Sequence, residues 1–300
     1  MPCLYQNPLT RRRFIGGMMG ALSAVSLPRM AAREPVPDSP SRALRLALFS
    51  DTHIPANPAD GYRGFRPVEN LNRILPQMIE RRPEAAILCG DAARLEGLLP
   101  DYERLGRLLD PLARTCPISI ALGNHDDRTN FWEVFARGSL GESKTANRHV
   151  LVIEWPVLRC IVLDSLLFVN ETPGLLGKAQ RFWLADHLAR TDDRPTVLFV
   201  HHPPTDDDGA LLDSDRLLRL VQPHRKVKAI FFGHTHVWAH TELDGLQLIN
   251  LPAVGYNFSD LQPVGWVDSR FGADGVDLTL CAVAGNRSAD GSTVSIAWKR

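Results

Sequence analysis

Apolar residues fall in short, nearly unbroken runs that alternate with stretches of helical spacing, and the alternation begins at residue 44. Leu44-Arg45-Leu46-Ala47-Leu48-Phe49 reads as a strand. Over residues 67–82, Leu71, Ile74, Leu75, Met78 and Ile79 recur on one side of a helix. Residues 85–89 form a second buried strand, and 101–112 a helix with Leu105, Leu108, Leu109 and Leu112 on one stripe. A third strand follows at 118–122. This β-α-β-α-β order predicts an α/β sheet whose faces are covered by helices.

Further along, 149–155 and 157–163 read as an antiparallel strand pair, and 178–190 as a helix carrying Phe182, Trp183, Leu184 and Leu188. Residues 196–200 and 229–232 are short, wholly apolar strands. After Gly245 the pattern is mostly β, with good alternation over 276–283 and 293–298 and turn residues at Asn286 and Asp290-Gly291. Neither a repeat nor a linker interrupts this body. Residues 43–300 are therefore expected to form a single domain with C-terminal β-strands, the tail adding strands to a second sheet.

The start of the chain follows different rules. Thr10-Arg11-Arg12-Arg13-Phe14-Ile15-Gly16 resembles the twin-arginine export motif, with Ile and Gly at its last two positions. The apolar stretch 14–27 behind it is short of the roughly 20 residues that span a bilayer. Residues 1–27 read as a twin-arginine signal peptide, with an uncleaved membrane anchor as the alternative. Residues 28–42 contain four prolines and read as a flexible leader. Export by that machinery would place the protein in the periplasm or outside the cell.

Formal net charge is zero, but the first 33 residues carry five Arg and no acid, so the remainder has a net charge of −5. A mildly acidic body argues against nucleic acid as a partner, because non-specific binding there rests on basic side chains neutralising phosphates. The five cysteines, Cys3, Cys89, Cys116, Cys160 and Cys281, have no metal-site spacing and read as free thiols, four of them buried.

Chemistry enters where the apolar runs end. Asp51-Thr52-His53 follows the first strand, and in extended chain residues two apart point the same way, so both side chains could reach one cation. Gly90-Asp91 follows the second strand; one carboxylate has two oxygens and could bridge two ions. Gly123-Asn124-His125-Asp126 follows the third. Its Asn amide is a neutral ligand, His125 stands beside the metals without needing to bind one, and Asp126 or Asp127 would cap the next helix. His201-His202-Pro203-Pro204 and Gly233-His234-Thr235-His236 follow two later strands. Taken singly, the first three motifs also read as an ordinary turn, a helix cap or a satisfied polar pair, whereas two histidines spaced as His234 and His236 favour metal ligation even alone. Together they deliver Asp, His and Asn side chains from several strand ends toward one place, as a two-metal site requires.

These motifs in this order closely resemble those of the calcineurin-like metallophosphoesterase superfamily, over roughly residues 43–260. Gly-Asn-His-Asp-Asp-Arg at 123–128, Phe131, and Gln180-x-x-Trp183-Leu184 resemble its class III branch of cyclic-nucleotide and glycerophosphodiester phosphodiesterases. The resemblance implies a four-layer α/β/β/α sandwich of two mixed sheets. It implies one ion held by Asp51, His53, Asp91 and His236, and another by Asp91, Asn124, His201 and His234, with Asp91 bridging. The donor set suits Mn, Fe, Zn or Co. It further implies a small phosphate-ester substrate, hydrolysis of a phosphodiester by a metal-bridging hydroxide, and His125 as general acid. His202 and Arg128 are expected to contact substrate. Purple acid phosphatases carry a Tyr ligand three residues after the bridging Asp; that position is Arg94 here, so no tyrosinate-to-iron colour is expected. A broad phosphomonoesterase is the alternative on the same site, and a non-catalytic interaction module the alternative on the same fold.

Overall fold

A computed structural model describes residues 43–135, 145 and 147–299. The expected signal peptide and leader lie outside the described residues. The first strand, β1 (Leu44–Phe49), leads into α1 (Pro67–Arg81), β2 (Ala85–Cys89), α2 (Leu99–Ala113), β3 (Ile118–Ala121) and α3 (Arg128–Phe135). Then come β4 (Leu151–Glu154), β5 (Arg159–Val162), α4 (Gly177–Arg190), β6 (Thr196–Phe199), α5 (Ser214–Val221) and β7 (Val227–Phe232). The chain continues with β8 (Ala239–Leu243), β9 (Leu246–Asn250), β10 (Pro263–Phe271), β11 (Gly275–Gly285) and β12 (Thr293–Ala297).

The strands build two six-stranded mixed sheets, ordered β12-β11-β10-β1-β2-β3 and β4-β5-β6-β7-β9-β8. In the first sheet the parallel strands β1, β2 and β3 form one edge and antiparallel β10, β11 and β12 the other; in the second, parallel β5, β6, β7 and β9 form a centre flanked by antiparallel β4 and β8. Three separate hydrophobic cores establish the layering. Along β1, Leu44, Leu46 and Leu48 face the second sheet, meeting Cys160, Val197, Phe199 and Phe231. Ala47 and Phe49 face the other way, onto Leu71, Ile74, Leu105 and Leu109 of α1 and α2. Ile161, Leu198 and Ile230 of the second sheet pack on Leu184, Leu188, Leu217 and Val221 of α4 and α5. The strand period of two thus sorts one run of sequence into two cores, and the order is helix, sheet, sheet, helix.

The tail corrects one expectation. Strands β10 to β12 extend the first sheet, not the second: β10 pairs antiparallel with β1, Leu44 opposite Phe271 and Leu48 opposite Val267. Alternation marks a strand but not its partner, and the open edge of β1 accepted it. Helix α5 and strand β10 are also absent from the reading of the sequence, α5 because eight residues give too short a period, β10 because Pro263 and Gly265 interrupt its pattern. The four cysteines among the described residues are free and buried, and among those residues no helix is long and apolar enough to cross a membrane.

Candidate metal centre

Parallel strands β1, β2, β3, β6 and β7 release the chain at their carboxyl ends on one side of the molecule, where open α/β sheets bind ligands. Asp51, His53, Asp91, Asn124, His201, His234 and His236 come together there. All except His234, which is partly exposed, are nearly inaccessible to solvent.

The backbone does not bring them in as extended chain. Asp51, His53, Asp91, His234 and His236 all have positive φ, between 45° and 69°. Non-glycine residues seldom adopt this left-handed region, and its strain persists only where the surroundings hold it. Here Asp51 N–H donates to Gly90 O at 3.0 Å, His53 N–H to Asp91 O at 2.9 Å, and Gly255 N–H to Asp51 O at 2.8 Å. The expectation that Asp51 and His53 share a direction through strand alternation is therefore corrected. They converge because both sit in left-handed turns beyond the end of β1.

Two glycines of the motifs have visible reasons. Gly90 has φ +87°, and a Cβ there would run into the His201 ring. A Cβ at Gly123 would collide with the carboxylate and backbone N of Asp91.

Hydrogen bonds set the imidazole tautomers. His53 gives its Nδ1–H to Arg94 O at 3.1 Å, His236 to Tyr256 O at 2.7 Å, and His201 to Cys89 O at 2.9 Å. Each Nε2 is left with a lone pair, and the three point at carboxylates. His236 Nε2 lies 3.3 Å from Asp51 Oδ1, His201 Nε2 3.3 Å from Asp91 Oδ2, and His53 Nε2 3.7 Å from that same Asp91 oxygen. His201 Nε2 is buried with no hydrogen-bond partner. Lone pairs that face carboxylates repel unless positive charge stands among them, so this donor set fits cations. Asp91 is suited to bridge: Oδ1 accepts from His125 N–H at 2.9 Å while Oδ2 faces nitrogens from both sides. On the second side His234 Nδ1 meets Asn124 Oδ1 at 3.0 Å.

Electrostatics agree. Burial pushes the Asp51 carboxyl up, but positive charge at the facing His236 and His201 rings together outweighs it and holds the pKa at about 2, so positive charge at this spot keeps the carboxylate ionised. Asp91 stays well below the usual range because His201 overcomes its burial. Burial lowers His53 and His234 to about 4, which keeps their lone pairs available at neutral pH. Burial also lowers His201, yet the Asp91 carboxylate prevails and raises it to about 9.

The remaining expected residues divide. His125 donates Nδ1–H to Leu95 O at 2.9 Å, and its ring centre is 5.4 Å from that of His53, on the wall of a cavity of about 390 Å³. His202 is buried against His234 (ring centres 4.8 Å apart), with Nδ1 on Ser165 Oγ at 2.7 Å. Arg128 is placed differently from expectation. Its guanidinium binds Asp164 through two contacts of 2.7 Å and also donates to Leu166 O, and it does not line the cavity. A bidentate carboxylate partner uses the fork that a phosphate would have needed.

Two residues have roles at the site that the sequence did not assign them, Asp126 having been expected only as a possible helix cap. Asp126 is fully buried and accepts from Gly123 N–H at 2.8 Å, Ala92 N–H at 3.2 Å, Ala93 N–H at 3.1 Å and Tyr102 O–H at 2.9 Å. It ties the Asp91 loop to the Asn124 loop, while Asp127 caps α3 through Asn130 N–H. Tyr256 stacks on His53 with ring centres 4.8 Å apart. The Asp in Gly-Asn-His-Asp was a visible signal for the first; Tyr256 carries none.

Two mixed sheets with an Asp, Asn and His cluster at the strand ends define a metal-dependent phosphoesterase fold. The chain belongs to the calcineurin-like phosphoesterase family, whose model matches residues 44–238, and it is a hydrolase. It is 29% identical over 241 residues to a probable cyclic nucleotide phosphodiesterase of Synechococcus, covering 77% of this chain and 89% of that one. It is 30% identical over 233 residues to a glycerophosphodiester phosphodiesterase of Enterobacter lignolyticus, covering 73% and 81%. A dimetal phosphatase from Danio rerio superposes with a TM-score of 0.68 at 14% identity, covering 86% of this chain and all of that one.

Proposed function

We propose that the protein is an exported, dinuclear-metal phosphodiesterase acting on small phosphate diesters. The carrying observation is the convergence of three tautomer-locked Nε2 atoms on Asp51 and Asp91. One ion would be held by Asp51, His53, Asp91 and His236, the other by Asp91, Asn124, His201 and His234. Bound there, two divalent cations would draw in the phosphate oxygens and activate water for attack on phosphorus.

The chain's own groups do the rest. His125 is held by Leu95 O so that its Nε2 is the nitrogen left to hand a proton to the departing ester oxygen. Asp126 keeps the two loops that carry Asp91 and Asn124 in register. His202, fixed by Ser165, backs His234. The preference for diesters is supported by the names of the relatives, a cyclic nucleotide phosphodiesterase and a glycerophosphodiester phosphodiesterase. Export is supported by the motif at 10–16.

The test of the reaction is a rate comparison on bis(p-nitrophenyl) phosphate and p-nitrophenyl phosphate, with Mn, Zn and Fe supplied separately. Faster turnover of the diester is expected; preference for the monoester would make the protein a phosphomonoesterase, and no turnover with any metal would make it a binding module. For export, replacing Arg11 and Arg12 by Lys should hold the protein in the cytoplasmic fraction; unchanged fractionation would refute that part.

A further inference from the structure

The cavity beside His125 has an aromatic wall continuous with the metal-ligand rings. Tyr256 stacks on His53, and Phe258 stacks on His236 with ring centres 4.4 Å apart. Tyr62 meets Tyr256 edge-on at 4.8 Å, and Tyr256 meets Phe258 edge-on at 5.6 Å. Tyr256 is buried as the base of this wall, whereas Tyr62 and Phe258 are each about half exposed and stand at the mouth. Pro55, Pro67 and Leu95 complete an apolar lining, which His125 shares. Half-exposed aromatic rings beside a catalytic centre cost hydration unless a ligand covers them.

The charged groups at the mouth narrow the choice of ligand. Arg94 and Asp60 pair at 2.6 Å and neutralise each other. The Arg63 guanidinium lies 5.9 Å from the Phe258 ring centre and donates to Phe258 O at 2.9 Å. A cationic head group would meet this Arg at the ring face it needs, so the cleft disfavours trimethylammonium groups even though aromatic cages elsewhere bind them.

We infer that this cleft is a subsite for a flat, uncharged aromatic ester group of the phosphodiester, and that Tyr62 and Phe258 are the residues that select it. The inference rests on the phosphodiesterase reading above and names the substrate class within it. Because His125 shares the cavity, the ester oxygen of that aromatic group is the one His125 serves. Ring stacking is tolerant of the particular ring, so the selection is for flatness and neutrality, as in stacking of a nucleobase or an aryl group.

The test uses the manganese-loaded protein and three ethyl phosphodiesters, whose second group is benzyl, cyclohexylmethyl or 2-(trimethylammonio)ethyl. The first two match closely in size and alcohol acidity, so flatness is what separates them. A kcat/KM about tenfold higher for benzyl than for cyclohexylmethyl is expected, the size of one or two aromatic contacts. Tyr62→Ala/Phe258→Ala should bring that ratio close to one, and Tyr62→Phe/Phe258→Tyr should preserve it. Equal rates for benzyl and cyclohexylmethyl in the native protein, a preference for the cationic ester, or a ratio that survives the double Ala variant would overturn the inference. Calorimetric binding of benzylphosphonate against cyclohexylmethylphosphonate reads the cleft without turnover. Failure to hydrolyse all three esters, with the same binding preference intact, would count against the phosphodiesterase reading and leave the subsite standing. Equal binding of the two phosphonates would count against the subsite.

Discussion

The Nε2 atoms of His53 and His236 stand 3.1 Å apart, and because each ring turns its Nδ1–H to a backbone carbonyl, the neutral rings face each other with lone pairs. Two lone pairs at that distance repel, and a cation between them turns the repulsion into binding. Metal is therefore expected to stabilise the fold as well as the activity. With free Mn at about a hundred times its dissociation constant, the native state gains about 2.7 kcal/mol. For a domain of this size that is roughly 5–10 °C of melting temperature. Calorimetry before and after chelation measures it, and an unchanged melting temperature would contradict the convergence of these rings on a metal.

His125→Ala should separate binding from chemistry. The His125 backbone N–H, which holds Asp91 Oδ1, survives the substitution, so metal content by elemental analysis should stay at two ions per chain. On a diester with a poor leaving group kcat should fall by roughly 10²–10⁴. On an activated nitrophenyl ester the loss should be much smaller. Full activity on the poor leaving group would show that another residue supplies the proton.

Asp126→Ala would leave the N–H groups of Gly123, Ala92 and Ala93 and the Tyr102 hydroxyl without their buried acceptor. Each stranded buried donor costs about 1–3 kcal/mol, so a loss of at least about 3 kcal/mol in urea unfolding is expected. The metal-loaded variant should also bind its ions more weakly, since the Asp91 and Asn124 loops lose their tie. A loss below about 1 kcal/mol would mean that water or a neighbouring group replaces the carboxylate.

His149 predicts a pH dependence away from the metal centre. The neutral ring donates Nε2–H to Ile120 O at 2.9 Å and accepts from Trp132 Nε1–H at 3.4 Å. Burial holds its pKa below the ordinary value, outweighing the opposing pull of Asp164. A base depressed in the folded state favours folding above its unfolded pKa, about 6.5, and that stability disappears as pH falls through the folded value. Asp126 works in the opposite sense: burial, reinforced by Asp91, raises it to about 6, so its share of stability is lost as pH rises from about 4 through 6. Urea midpoints from pH 4.5 to 7.5 for the native protein and His149→Gln isolate the histidine. The difference between the two should shrink as the pH falls; a constant difference would refute the assignment.

The legible part of the site was its list of donors. Asp51, His53, Asp91, Asn124, His201, His234 and His236 each sit just past an apolar run, and the structure brings every one of them to the same strand ends. Arg128 was less legible, because a basic residue near a helix start carries no mark of its partner, and that partner, Asp164, lies 36 residues away. The capping expectation was resolved only in three dimensions. Asp126 and Asp127 are equivalent by spacing, but Asp127 reaches Asn130 N–H while Asp126 turns inward to Tyr102.

By itself the sequence determined the element order through β7 apart from α5, the strand ends that carry the donors and the donor types, because periodicity and residue chemistry are local properties. Tertiary structure alone decided that β10 to β12 join β1. It also decided that five donors sit at positive φ, and that Tyr62, from one end of the body, shares a cleft with Tyr256 and Phe258 from the other. Sheet pairing, the hydrogen bonds that hold a strained turn and the facing of distant rings all depend on contacts between residues far apart in the chain, and no short window of sequence contains both partners.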